Sequence, residues 1–126
     1  MQKQFINPPG GAPPIGPYSP GLRIGQMVFV SGQGPGNAEG NIQGETISEQ
    51  TEVTMNNIKR ILESAGLGMK DVVKATVYLA NLQHFKEFNE VYKQYFPGIK
   101  PTRTTVGCDL LGGILVEIDV IAIASE

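Results

Sequence analysis

Two short runs near the C-terminus hold the side chains best equipped for chemistry. Lys100-Pro101-Thr102-Arg103-Thr104-Thr105-Val106 places an arginine in a run that otherwise reads as a β-strand, and Leu115-Val116-Glu117-Ile118-Asp119-Val120 places two carboxylates in apparent β-core. Ionised groups persist in such surroundings when something pairs with them, because desolvating a lone charge costs several kcal/mol or more. A Gly112-Gly113 turn signal lies between the runs, so they could be adjacent antiparallel strands, with Arg103 and Glu117 at one end of one sheet. A guanidinium fork matches a carboxylate bidentately and keeps its proton, which makes Arg103 a candidate clamp for a small anion. Glu117, if partly buried, could orient and partly deprotonate a water, a role worth ~10²–10⁴ in rate. So modest a kit suits a reaction with a low intrinsic barrier. Hydrolysis of an imine to a ketone and ammonia qualifies, since the imine carbon is already electrophilic. The structural alternative is a salt bridge from Arg103 to Glu117 or Asp119 that only fixes strand register. For Asp119, near its strand end, the structural role is the expectation.

Other chemistries find less support. The chain has one histidine, His84, and one cysteine, Cys108, so an intramolecular disulfide is excluded and a structural zinc site is unsupported. No acidic loop motif suggests magnesium or calcium. A Ser-His-Asp or Cys-His arrangement would have to use His84, at the start of a helix, and acid–base ribonucleolysis by a histidine pair within one chain is impossible. A net charge of -2 gives no global basic field toward nucleic acid or an anionic membrane. No apolar run approaches the ~20 residues of a membrane span, and Met1-Gln2-Lys3-Gln4-Phe5-Ile6-Asn7 lacks a signal-peptide core, so the expected location is cytoplasmic. At 126 residues a single domain, 1–126, is expected.

The elements that must position these residues can be taken in order. Residues 3–6 read as a short edge strand, and Asn7 to Pro20 as a loop stiffened by prolines. That loop is either a rigid surface connection or a device that presents Tyr18 to a neighbouring site. Leu22–Gly25 and Met27–Gly32 form a hairpin about Gly25-Gln26, with Ser31 at the strand end, where sites tend to lie. Gly32-Gln33-Gly34-Pro35-Gly36 lacks the lysine and following helix of a phosphate loop and reads as a flexible turn. Thr46-Ile47-Ser48-Glu49 is a capping box opening a helix to about Ala65, with Gly66 beyond it. Val72 to Ala80 alternates as a strand, with Val73, Ala75, Val77 and Leu79 on one face. Asn81 caps a second helix from Leu82 to about Phe96, stopped by Pro97-Gly98. Phe85, Phe88, Tyr92 and Tyr95 recur at helical spacing as a core stripe; Asn89 lies beside it, and His84 reads as a solvated surface residue. The order β-β-β-α-β-α-β-β predicts an α+β class, one mixed sheet with both helices on one face. The apolar final strand leaves few polar residues for a solvated opposite face, which predicts self-association.

Four stretches together resemble the hallmarks of the Rid family (reactive intermediate deaminase, YjgF-type). They are Gly16-Pro17-Tyr18-Ser19-Pro20, Val30-Ser31-Gly32-Gln33, Pro101-Thr102-Arg103-Thr104-Thr105-Val106, and Leu115-Val116-Glu117-Ile118 after a glycine-containing turn. The resemblance covers essentially the whole chain. It implies a chorismate mutase-like fold assembled as a homotrimer, with sites in the clefts between subunits. It also implies hydrolysis of 2-imino acids such as 2-iminopropanoate and 2-iminobutanoate to 2-keto acids and ammonia, with no cofactor. Carried over by position, Arg103 is the carboxylate anchor, Glu117 positions water, Ser31 is their hydrogen-bonding neighbour, and Tyr18 and Asn89 line the cleft. Thr105 stands where many deaminase-active members have cysteine. Cys108 is no simple substitute, since strand alternation puts it on the opposite face. A threonine serves if the family contact uses the backbone or a weak donor; if a thiol is required, activity falls or the substrate differs. Leu111 likewise stands where a proline is common. Two other readings stay open: a non-catalytic trimer that binds small carboxylates or partner proteins, and an endoribonuclease, the label (L-PSP type) some members carry.

Overall fold

In the computed structural model, which describes residues 1–125, the capping signal at Thr46 forms as its sequence predicts. Thr46 Oγ1 accepts from the Glu49 N–H at 3.1 Å, and the Glu49 carboxylate accepts from the Thr46 N–H at 3.0 Å. Helix α1, Ile47–Ser64, follows and buries Ile47, Met55, Ile58, Ile61 and Leu62 along one side. It ends before Gly66, whose φ of +83° is one that a glycine adopts at no steric cost.

Six strands form one sheet: β1 (Gln4–Ile6), β2 (Gly21–Ile24), β3 (Met27–Gln33), β4 (Val72–Leu79), β5 (Thr102–Gly107) and β6 (Val116–Ile123), in the order β1-β2-β3-β6-β4-β5. Every pairing is antiparallel except β4 with β5, which is parallel. The predicted hairpin turns at Gly25-Gln26, between Ile24 and Met27. Helix α1 packs on β3 and β6 and against the second helix, so both helices cover one face, and the class is α+β as expected.

Three local expectations need correction. The closing strands β5 and β6 are not neighbours, because β4 lies between them. Gly112 and Gly113, both at φ +76°, belong to a wider loop rather than a two-residue hairpin. The ends of that loop clasp the end of β4: Cys108 N–H donates to the Leu79 carbonyl and Ala80 N–H to the Leu115 carbonyl, each at 3.0 Å. In β4 itself a register shift between Val72 and Lys74 puts Val72 in the core and leaves Val73 42% exposed. The second helix is shorter than predicted. A 3₁₀ turn, Leu82–His84, capped by Asn81, precedes α2 (Phe85–Tyr92), and a second 3₁₀ turn, Lys93–Tyr95, follows it.

The core lies between helices and sheet. β6 sends Val116, Ile118, Val120 and Ala122 into it, and β4 sends Ala75, Val77 and Leu79, to meet Met55, Ile58, Leu62 and Phe88. The other side chains of β6, Glu117, Asp119 and Ile121, face the open side of the sheet, where Phe29 and Ile121 are only half-buried and Ile123 is 43% exposed. Within one chain that face is bare.

Candidate functional site

Arg103 sits on edge strand β5, and its side chain turns toward the helices. Its Nη1 donates to Asn89 Oδ1 at 2.8 Å. The guanidinium lies 4.8 Å from the Tyr92 ring centre and 5.6 Å from those of Phe85 and Phe88. Such contacts hold a half-buried cation at ~0.5–2 kcal/mol each without using up its charge. The expected register-fixing salt bridge is absent: among the described residues the one ion pair is Lys93–Glu90. The stripe predicted as core is thus divided. Phe88 and Tyr92 are buried, whereas Phe85 is 42% exposed and stacks on Arg103. Asn89 is not a free surface amide, since it fixes the guanidinium. Burial pushes the Tyr92 phenol upward, opposed by the Arg103 charge. Thr105, two residues along β5, turns the same way, and its hydroxyl is buried without a partner. His84 departs from expectation too: it is half-buried, with Nδ1 enclosed and unpartnered.

A second group lies on the open face. Tyr18, Ser31, Gly32, Glu117 and Asp119 line a concavity of about 770 Å³ whose remaining wall is mainly apolar, including Ile42, Leu111 and Ile114. Ser31 Oγ donates to the Ser19 carbonyl at 2.6 Å and the Ser31 N–H to the Pro20 carbonyl at 2.9 Å, tying the proline loop to β3. The buried Asn57 of α1 steadies the next segment, its Nδ2 donating to the carbonyls of Gly34 and Gly36 at 3.0 and 2.9 Å. Tyr18 accepts at its hydroxyl from the Ile15 N–H at 3.3 Å and remains 46% exposed. Gly32 leaves room for Glu117: a Cβ there would crowd the Glu117 carboxylate out of its present position. Burial, and secondarily the charge of Asp119, push the Glu117 carboxyl upward. Asp119 pairs with neither Arg103 nor a strand partner's backbone; its Oδ2 accepts from the Tyr78 hydroxyl at 2.8 Å.

The six predicted residues therefore fall into two groups that one chain does not bring together. Arg103 is level with Ala75 and Val120, whereas Glu117 is level with Tyr78. The offset from Val120 to Glu117 is about 10 Å at ~3.3 Å a residue, and the strands lie two spacings apart on opposite faces. Arg103, Asn89 and Thr105 share the edge beneath α2, while Tyr18, Ser31 and Glu117 share the open concavity. The sequence reading missed two contributors. Gly32 gave little signal, because at the end of a strand it reads as the start of the glycine-rich turn that follows. The aromatic bed of Arg103 carried none, because a helical aromatic stripe looks the same whether it packs on aliphatics or on a cation. Among the described residues no three His, Cys, Asp or Glu side chains cluster as a metal site would need, and no helix is long and apolar enough to cross a membrane.

Known proteins resemble this chain in both sequence and fold. Residues 10–124 match the family model described as endoribonuclease L-PSP. A RutC family protein of Pyrococcus abyssi is 44% identical over 124 residues, covering 97% of this chain and 98% of that protein. YyfA of Yersinia pestis, a solved member of the Rid protein family, is 35% identical with a TM-score of 0.92, covering 98% of this chain and all of that one. TdcF of E. coli, solved with bound serine, is 37% identical with a TM-score of 0.88, covering 97% of this chain and 99% of that one.

Proposed function

The chain belongs to the L-PSP/YjgF/Rid family, and from that premise we propose that it hydrolyses reactive 2-imino acids, such as 2-iminopropanoate and 2-iminobutanoate, to 2-keto acids and ammonia. The observation that carries the reading is a matched pair of half-sites. One holds an arginine with no carboxylate partner among the described residues, aimed by Asn89; the other holds a half-buried glutamate in an open concavity. A second copy of the chain that seats its β5 edge over the concavity would join them, and a closed ring of three copies gives every subunit the same contact. The bare apolar face of the sheet supports such an assembly.

In the joined site Arg103 clamps the substrate carboxylate through its two outer nitrogens. Glu117 takes a proton from water as the oxygen adds to the imine carbon, and returns it to the nitrogen. The carbinolamine hydroxyl then passes its proton, through Glu117, to the amino nitrogen as the C=O bond forms and the C–N bond breaks, so ammonia leaves and water supplies every atom that the products gain. Burial pushes the Glu117 carboxyl upward, which makes it a stronger base than an exposed carboxylate and suits it to this double duty. Ser31 orients the water or the carbinolamine hydroxyl, Tyr18 closes the cleft, and the Thr105 hydroxyl stands in for the thiol of many relatives.

The serine held by TdcF, a small amino acid, suits a carboxylate clamp, and it favours a second reading in which the site binds such acids without turning them over. Glu117→Gln separates the two: turnover collapses under the first, and carboxylate binding survives under either. The direct assay follows ammonia or keto-acid release from freshly generated imines. Wild type should accelerate it and Arg103→Ala should not, with a loss of ~2–5 kcal/mol in transition-state binding. Equal turnover by the two proteins would contradict the anchor.

A further inference from the structure

Glu117 does not stand alone in the concavity. β6 alternates so that Asp119 shares its face, with about 6.6 Å between their Cα atoms at ~3.3 Å a residue, and both residues line the same wall. On the neighbouring strand Tyr78 lies opposite Glu117 in register, yet its hydroxyl reaches diagonally to Asp119 Oδ2 at 2.8 Å. The other groups around Glu117 bring no full charge. β3 offers Ser31, Gly32 and Gln33, and the proline loop offers the Tyr18 phenol. Arg103 of the same chain is on the far face. Asp119 is thus the carboxylate that acts on Glu117 within the chain, and a phenol fixes where it sits.

We propose that Asp119, tied down by Tyr78, is a positioning residue that fixes a negative charge beside Glu117 and so sets the proton affinity with which that carboxylate handles water. This rests on the deaminase reading above. Asp119 itself neither gains nor loses a proton in the reaction and touches no reacting atom. The bond to Asp119, aided by burial, pushes the Tyr78 phenol up to about 12, so the hydroxyl remains a donor at any working pH. A like charge at this range in a half-buried site favours the protonated form of its neighbour. Remove it, and Glu117 becomes a weaker base that ionises at lower pH.

The test is the pH profile of kcat/KM for 2-iminobutanoate hydrolysis by wild type, Asp119→Asn and Tyr78→Phe. Asparagine keeps the shape and the acceptor for Tyr78 but removes the charge. Its acid limb should move to lower pH: one pH unit below the wild-type midpoint it should retain ~3–5-fold more of its own plateau than wild type does of its own. Its plateau should fall, because the base is weaker. Tyr78→Phe removes the donor that shares the Asp119 charge, so its limb should move upward. A lowered plateau with an unmoved limb in both variants would mean a merely structural role and overturn the proposal, leaving the deaminase reading intact. A wild type that hydrolyses no imine would overturn both. Should Asp119→Asn fail to fold, the ¹³C titration of the Glu117 carboxyl carbon in wild type and Tyr78→Phe decides, and identical midpoints overturn the proposal.

Discussion

Arg103 and Glu117 are both charged residues within β-strands, but they are accommodated in different ways. Arg103 keeps its charge by resting on three aromatic rings and one amide oxygen, none of which neutralises it. Glu117 has no cationic partner, and burial raises its carboxyl. A group whose pKa is raised on folding favours the native state below its unfolded value, and that contribution is lost as pH climbs through the folded value. Ionised Glu117 therefore burdens the fold from the ordinary carboxylate range upward. Glu117→Gln should melt higher than wild type at neutral pH, and the advantage should vanish at acid pH, where wild type is protonated as well. Thermal melts across pH check this; a variant equally or less stable at neutral pH would show that the glutamate is paired in solution. The residue types were legible in the sequence, as a charge in an apolar strand is conspicuous. Their partners were not, because Asn89 and the aromatic stripe meet Arg103 only through tertiary packing.

Elements whose signals are local were read well. The capping box, the β2–β3 hairpin and the α1 stripe each depend on residues within a turn or two of one another. Thr46→Ala should cost about 1 kcal/mol in urea unfolding, through the orphaned first-turn N–H, and leave turnover under native conditions unchanged. A loss well above that, or a drop in turnover, would tie the start of α1 to the site. What failed were inferences from a local signal to a long-range pairing. Gly112-Gly113 reports that the backbone turns, and the identity of the neighbouring strand depends on α2 carrying the chain across β4 so that β5 pairs parallel to it. Strict alternation through β4 failed at a bulge, which exchanged Val72 for Val73 in the core. In β6 the alternation is unbroken, and Glu117 and Asp119 share one face.

At the scale of the whole molecule the two half-sites acquire their meaning. Edge strand β5 carries Arg103, the open sheet face carries Glu117, and the two face away from each other within one chain. Strand periodicity revealed an apolar final strand with no solvated face, and from it the expectation of self-association. It could not reveal that Arg103 and Glu117 lie apart on opposite faces, since that follows from strand order. The central claim is that active sites are shared between subunits, and mixing two dead variants tests it most directly. Arg103→Ala and Glu117→Gln, unfolded together at equal concentration and refolded, should regain imine hydrolysis. Random assembly of three copies leaves about a quarter of the contacts with both an intact Arg103 and an intact Glu117, so about a quarter of wild-type activity is expected. If the mixture folds and assembles but remains as inactive as either parent, the two residues do not act across a subunit boundary and the account is wrong.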